Sequence, residues 1–129
     1  MVADLFHPGH VRFLNSARAL GDYLIVGLHS DKVSEDYKRK PILTLEERVT
    51  MVSSCRYVDQ VIPNAPLLIT KEFMEEYDID LVVHAHDESE DEFYKEYYLY
   101  PDSIGKFKRL DYNKGISTTE IIDKILNQK

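Results

Sequence analysis

Cysteine is almost absent from this chain of 129 residues: the lone Cys55 excludes an internal disulfide and any multi-cysteine zinc site. That fits a reducing compartment. No apolar run approaches the roughly 20 residues needed to cross a bilayer, and the N-terminus lacks the charged-then-apolar pattern of a secretory leader. No membrane insertion is expected, and the cytoplasm is the default location. Basic residues are the minority, 16 Lys and Arg against 23 Asp and Glu, for a formal charge of −7. This is the wrong sign for the broad electrostatic footprint of a nucleic-acid binder, so any polyanion must be bound locally. There are no internal repeats and no linker. The remaining composition, 43% hydrophobic and 11% aromatic, supports a folded core, and the length fits one domain spanning 1–129.

Apolar periodicity supplies the element order. Val11, Phe13, Leu14, Ala17 and Leu20 recur at helical spacing from His10 to Leu20, with Pro8 and Gly9 punctuating the start. Tyr23 to Leu28 is a nearly continuous apolar run, as expected for a strand buried on both faces, and His29-Ser30-Asp31 closes it. Thr44 and Glu47 form a capping box that opens a second helix. Val58 to Pro63 reads as a strand, Thr70 to Tyr77 as a helix and Leu81 to His84 as another buried strand. The acidic stretch Asp87 to Glu92 is expected to be a loop, Phe107 to Leu110 an edge strand, and Glu120 to Leu126 an amphipathic final helix. This alternation predicts an α/β, Rossmann-like, doubly wound parallel sheet. Ligands of such sheets bind beyond the C-terminal strand ends, where His7 to His10, His84 to Asp87 and Gly115 to Thr119 all fall.

Each motif has a chemistry and a simpler alternative. In His7-Pro8-Gly9-His10 two imidazoles flank a strand-to-helix turn, where backbone N–H groups and the helix dipole attract phosphate. Either ring can donate to a phosphate oxygen as charge develops on a leaving group; the alternative is a helix cap beside a surface histidine. Ser117, Thr118 and Thr119 open the last helix and serve to cap it or to grip phosphate. His84-Ala85-His86-Asp87 holds potential metal ligands, but Asp87 does not share the histidines' face and no metal site is expected. Phe93, Tyr94, Tyr97, Tyr98 and Tyr100 read first as packing and second as a box for an ammonium head group.

The run Asp4-Leu-Phe-His-Pro-Gly-His-Val-Arg-Phe-Leu14 resembles the HxGH signature of the nucleotidyltransferase superfamily. Val58 to Pro66, Ile69 to Phe73 and Gly115 to Ile122 are similar to the cytidylyltransferases that activate phosphocholine and phosphoethanolamine. The resemblance runs from Asp4 to Ile122, and two motifs far apart in sequence are more specific than either alone. It implies transfer of a cytidylyl group from CTP to a small phosphorylated alcohol, releasing pyrophosphate, with Mg²⁺ carried by the triphosphate. A homodimer is expected from the same resemblance.

By that resemblance His7, His10 and Lys38 are catalytic, and Phe6, Gly9, Arg48, His84, Asp87, Gly115, Ile116, Ser117, Thr118 and Thr119 bind nucleotide. Lys38 also reads as a solvated loop charge, Arg48 as a surface salt bridge and His84 as a satisfied strand-end histidine. Two positions depart from the family pattern: Met1 stands where GxFD has glycine, and Tyr112 where RTxGIST has arginine. These departures leave open a binding module of the same fold with lost or weak turnover, and the wide sharing of HxGH leaves open an adenylyltransferase, since Gly115-Ile-Ser-Thr alone argues for cytidine.

Overall fold

A computed structural model describes residues 1–111 and 115–128; Tyr112, where the family pattern has arginine, lies outside the described residues. The chain forms two compact units, one comprising Met1–Ala65 with the C-terminal stretch that includes Gly115 to Gln128, the other lying within Pro66 to Asp111.

In the first unit α1 (Pro8–Arg18) leads to β1 (Ile25–Gly27), and α2 (Asp31–Tyr37) and α3 (Leu45–Ser53) precede β2 (Gln60–Ile62). β1 and β2 pair in parallel with Val26 opposite Val61. Parallel pairing requires a crossover, which the two helices provide. Met1 extends this arrangement: its nitrogen donates to the Gly27 carbonyl and its carbonyl accepts from the His29 N–H, either side of Leu28. Leu14, Val26, Leu28 and Val52 form the core with Ala3, and burying each larger side chain contributes about 1.5–3 kcal/mol. α7 (Thr118–Leu126) completes the unit.

The second unit carries α4 (Lys71–Glu76), β3 (Val82–Ala85), a 3₁₀ turn at Glu88–Glu90, α5 (Asp91–Tyr94), α6 (Leu99–Ser103) and β4 (Phe107–Leu110). β3 and β4 are again parallel, with His84 opposite Arg109. Met74, Tyr94 and Tyr98 are buried here, and the Tyr98 ring stacks on Phe107 with centroids 4.7 Å apart. Tyr94 and Tyr98 therefore serve packing, the first of the two readings of the aromatic segment.

Three expectations are revised. α1 begins at Pro8 rather than His10, because proline suits the first helical position and His7 caps it. α2 has no counterpart among the helices expected from apolar periodicity. Its start signal is Ser30, whose Oγ accepts from the Val33 N–H at 3.1 Å, and seven residues are too few for a visible apolar stripe. The acidic stretch expected as a loop instead forms the 3₁₀ turn and α5, where Asp91 and Glu92 complement the positive helix start.

Candidate active site

The histidines of the first motif hold each other in place. His7 is the N-cap of α1, and its Nδ1 accepts from the Gly9 N–H at 3.0 Å. His10, three residues on, returns the favour through Nδ1, which accepts from the His7 N–H at 3.1 Å. This is a capping box built from two imidazoles. The rings stack 3.8 Å apart, and Phe6 lies on the outer face of His10 at 5.6 Å.

The caps decide where the protons are. A nitrogen that accepts a backbone N–H carries no hydrogen, so a neutral ring must bear its hydrogen on Nε2. Burial lowers the pKa of His7, with the Glu120 carboxylate opposing the shift. Burial, then His7, then the Lys38 ammonium push His10 down to about 3. Both rings are neutral at pH 7. Among the described residues neither Nε2 has a hydrogen-bond partner and no fully buried side-chain nitrogen or oxygen lacks one, so neither Nε2–H is fully buried by them. Each of the two stacked rings thus carries one such donor.

Gly9 is required between them. A Cβ there would lie 2.8 Å from Cε1 of His7 and 3.3 Å from Cγ2 of Ile116. We expect Gly9→Ala to displace the His7 ring and lower turnover about tenfold or more, because sub-ångström positioning of donors is at stake. Steady-state kinetics alongside thermal melting would check this, and unchanged turnover would refute it.

The same contact joins the two signatures. Ile116 packs against Gly9, and Thr118 Oγ1 donates to the Asp4 carbonyl at 2.9 Å, across 114 residues of sequence. Ser117 is the N-cap of α7, its Oγ accepting from the Glu120 N–H at 3.1 Å, so capping accounts for this hydroxyl. Thr119 is exposed in the first turn. Gly115 has φ of +111°, a conformation that side chains rarely adopt.

Asp4 is the organiser that motif reading passed over. Its buried carboxylate accepts from the N–H groups of Leu5, Ile42 and Leu43 at 3.1, 2.8 and 2.9 Å. Ala3 and Leu5 on either side have φ of +56° and +49°. Such backbone strain costs about 1–3 kcal/mol per residue and persists only where the surroundings impose it. Here it turns Asp4 inward. The segment that Asp4 grips follows Lys38, which caps the C-terminus of α2 and lies over the Tyr37 ring at 5.7 Å.

Arg48 is not at the surface, contrary to the expectation that it meets nucleotide phosphates or makes a surface salt bridge. It is 0% exposed, with Nε donating to Leu43 O, Nη1 to Val2 O and His29 O, and Nη2 to Asp31 Oδ1 at 2.6 Å. A planar fork of five donors suits this work better than any other side chain. Arg48 is scaffold, tying the N-terminal segment, the end of β1 and α2 to α3. His29 is buried beside it with Nδ1 3.0 Å from Ala65 O, and burial lowers its pKa to about 3.

These buried histidines make the fold acid-sensitive. Unfolded, His10 and His29 take up protons near pH 6.5; folded, only near pH 3. Their contribution to stability is thus complete above pH 6.5 and lost as pH falls from there through 3, by up to about 1.4 kcal/mol per pH unit for each. Urea midpoints between pH 7 and 4 should fall accordingly, and a flat profile would refute the assignment.

In the second unit His84 lies in β3, and Asp87 is exposed just beyond the strand. His84, His86 and Asp91 are hydrogen-bonded in series. Among the described residues no group of three metal-ligating side chains gathers.

A family model described as cytidylyltransferase-like matches residues 2–124. The chain belongs to this family. Its relatives include the ethanolamine-phosphate cytidylyltransferase of Dictyostelium discoideum, 42% identical over 98% of this chain and 36% of that protein. The ethanolamine-phosphate cytidylyltransferase of Arabidopsis thaliana is 43% identical over 95% of this chain and 30% of its own length. The choline-phosphate cytidylyltransferase A of Rattus norvegicus is 38% identical over 97% and 35%. This cytidylyltransferase-like chain therefore spans about a third of the length of these curated relatives. In fold it is similar to the lipopolysaccharide core biosynthesis protein of Thermoplasma volcanium, with a TM-score of 0.69 at 24% identity, covering 90% of this chain and 93% of that one. The α/β architecture with parallel strands is thus Rossmann-like. No described helix is long and apolar enough to cross a membrane.

Proposed function

We propose that this cytidylyltransferase-like chain transfers the cytidylyl group of CTP to phosphoethanolamine, giving CDP-ethanolamine and pyrophosphate. The observation that carries the reading is the reciprocal cap, which presents two neutral Nε2–H donors at the N-terminus of α1. An oxygen of the acceptor phosphate attacks the α-phosphorus, a new P–O bond forms, and the bond to the β-phosphate oxygen breaks. Negative charge moves onto the departing pyrophosphate. The Nε2–H groups of His7 and His10 meet that charge without titrating, and preorganised donors of this kind supply much of an enzyme's rate enhancement. Lys38 contributes a positive charge to the same region, its field already felt at His10. The first turn of α7, joined to the motif through Ile116 and Thr118, adds the positive end of a helix dipole. Mg²⁺ enters as part of the substrate, held by the hard triphosphate oxygens it prefers.

Identity to two curated ethanolamine-phosphate cytidylyltransferases, at 42% and 43%, favours ethanolamine over choline as the acceptor's alcohol. Pyrophosphate release measured with CTP, ATP, UTP and GTP against phosphoethanolamine and phosphocholine tests both halves. The CTP and phosphoethanolamine pair should be fastest. Silence in every pair from folded protein would overturn the reading, and nucleotide binding without release would identify a binding module.

A further inference from the structure

Two parts of the first unit that are far apart in sequence meet at one residue. Thr118 Oγ1, in the first turn of α7, donates to the carbonyl oxygen of Asp4 at 2.9 Å. The carboxylate of that same residue accepts from the Ile42 N–H at 2.8 Å through Oδ2 and from the Leu43 N–H at 2.9 Å through Oδ1. Arg48 ties the same two stretches of chain by donating to the carbonyls of Val2 and Leu43. The start of α7 is thus fastened to the N-terminal stretch, and the N-terminal stretch to the segment that leads from α2 to α3.

That segment carries Lys38. Its front end is held on α2, where the Lys38 and Arg39 N–H groups both donate to the Ser34 carbonyl, at 2.9 and 3.1 Å. Its far end is held by Asp4. Only Lys40 and Pro41 lie between the two anchors, and the proline ring fixes one of the few dihedrals left, so a shift of Ile42 and Leu43 passes back toward Lys38. The backbone of Asp4 is poised to move when a contact is lost. Ala3 and Leu5, with φ of +56° and +49°, hold strained left-handed conformations that persist only while the surroundings impose them. Those surroundings include the Thr118 bond to the Asp4 carbonyl and the bonds from Ile42 and Leu43 to its carboxylate. Loss of either lets the strained residues relax and turns the carboxylate away from the segment.

We infer that Asp4 is a positioning residue for Lys38, coupling the start of α7 to the segment that carries this lysine. The use of Lys38 rests on the cytidylyl-transfer reading; the coupling rests on hydrogen bonds alone. A triphosphate that meets both the lysine and the start of α7 then finds groups whose separation is set beforehand, which an in-line displacement requires.

Amide hydrogen exchange of the ligand-free chain tests the coupling without any substrate. Thr118→Val removes the donor to Asp4 and keeps the shape of the side chain. Exchange at Ile42 and Leu43 should quicken about tenfold, the equivalent of one hydrogen bond, while Leu28, bonded to the Ile62 carbonyl, is unchanged. No change at Ile42 and Leu43, or equal acceleration at Leu28, would overturn the coupling.

A double-mutant cycle on pyrophosphate release then tests its use. In Asp4→Asn one acceptor oxygen becomes an NH₂ that faces a backbone N–H, and turnover should fall about tenfold or more. In a Lys38→Ala background the same change should cost less than about twofold, because the group it positions is gone. The charge of Asp4 also reaches His10, so the cycle is repeated with His10→Ala, where the tenfold loss should persist. An undiminished loss in the Lys38→Ala background, or one that vanishes in the His10→Ala background, would overturn the positioning role. Thr118→Val carries the same cycle if Asp4→Asn does not fold. Absence of pyrophosphate release from the wild-type chain would refute the reaction, and the exchange rates would still judge the coupling.

Discussion

His10→Ala is expected to lower the rate of pyrophosphate release by about 10²- to 10³-fold, the usual cost of removing one preorganised donor from a developing charge. The ring has two functions, and two amide substitutions separate them. In His10→Asn the side-chain oxygen sits near the place of Nδ1 and keeps the cap on the His7 N–H, but the outward donor is gone. Its stability should stay near wild type while activity is lost. In His10→Gln the amide nitrogen reaches the place of Nε2 while the bond from the His7 N–H fails, so activity should partly survive in a protein weakened by about 1 kcal/mol, the usual net value of one hydrogen bond. Kinetics and urea melts on the three variants read these effects separately. Equal activity in the Asn and Gln variants would refute the assignment of the outward donor. Because His10 titrates only near pH 3, the wild-type rate should show no histidine-type ionisation near pH 6.5 from this ring.

Arg48→Ala is expected to cost about 3–5 kcal/mol of stability, a large part of what a small domain possesses. The loss comes from what the guanidinium leaves behind: three backbone carbonyls, of Val2, His29 and Leu43, and the Asp31 carboxylate. Lys in its place supplies a point charge that cannot span all four, so Arg48→Lys should recover less than half of the loss. Asp31→Asn, at a side chain about half exposed, should cost about 1 kcal/mol. Urea midpoints for the three variants check the order. A fully stable Arg48→Ala with weakened CTP binding would instead place this side chain on the nucleotide.

The elements with a strong local signal were legible from the residues. Thr44 and Glu47 form the capping box they announce, with Thr44 Oγ1 accepting from the Glu47 N–H and Glu47 Oε1 from the Thr44 N–H. Thr70 caps α4, and Phe107–Leu110 is a strand over the residues expected. The short helices α2 and α5 escaped because one or two turns leave too few apolar positions to register a period. The family itself was readable from the two signatures, since each is a run of consecutive residues.

Taken alone, the amino-acid sequence determined the parallel α/β alternation, the imidazoles flanking Pro8-Gly9 and the hydroxyl-rich start of the last helix, because each depends on neighbours within a few residues. Only the tertiary structure decided which nitrogen of His7 and His10 bears hydrogen, and that Arg48 faces the interior. It also placed Ile116 against Gly9 and Thr118 on Asp4. Tautomer, burial and long-range contact are set by atoms that meet through space, in this case across as many as 114 positions of chain, and no local pattern carries that information.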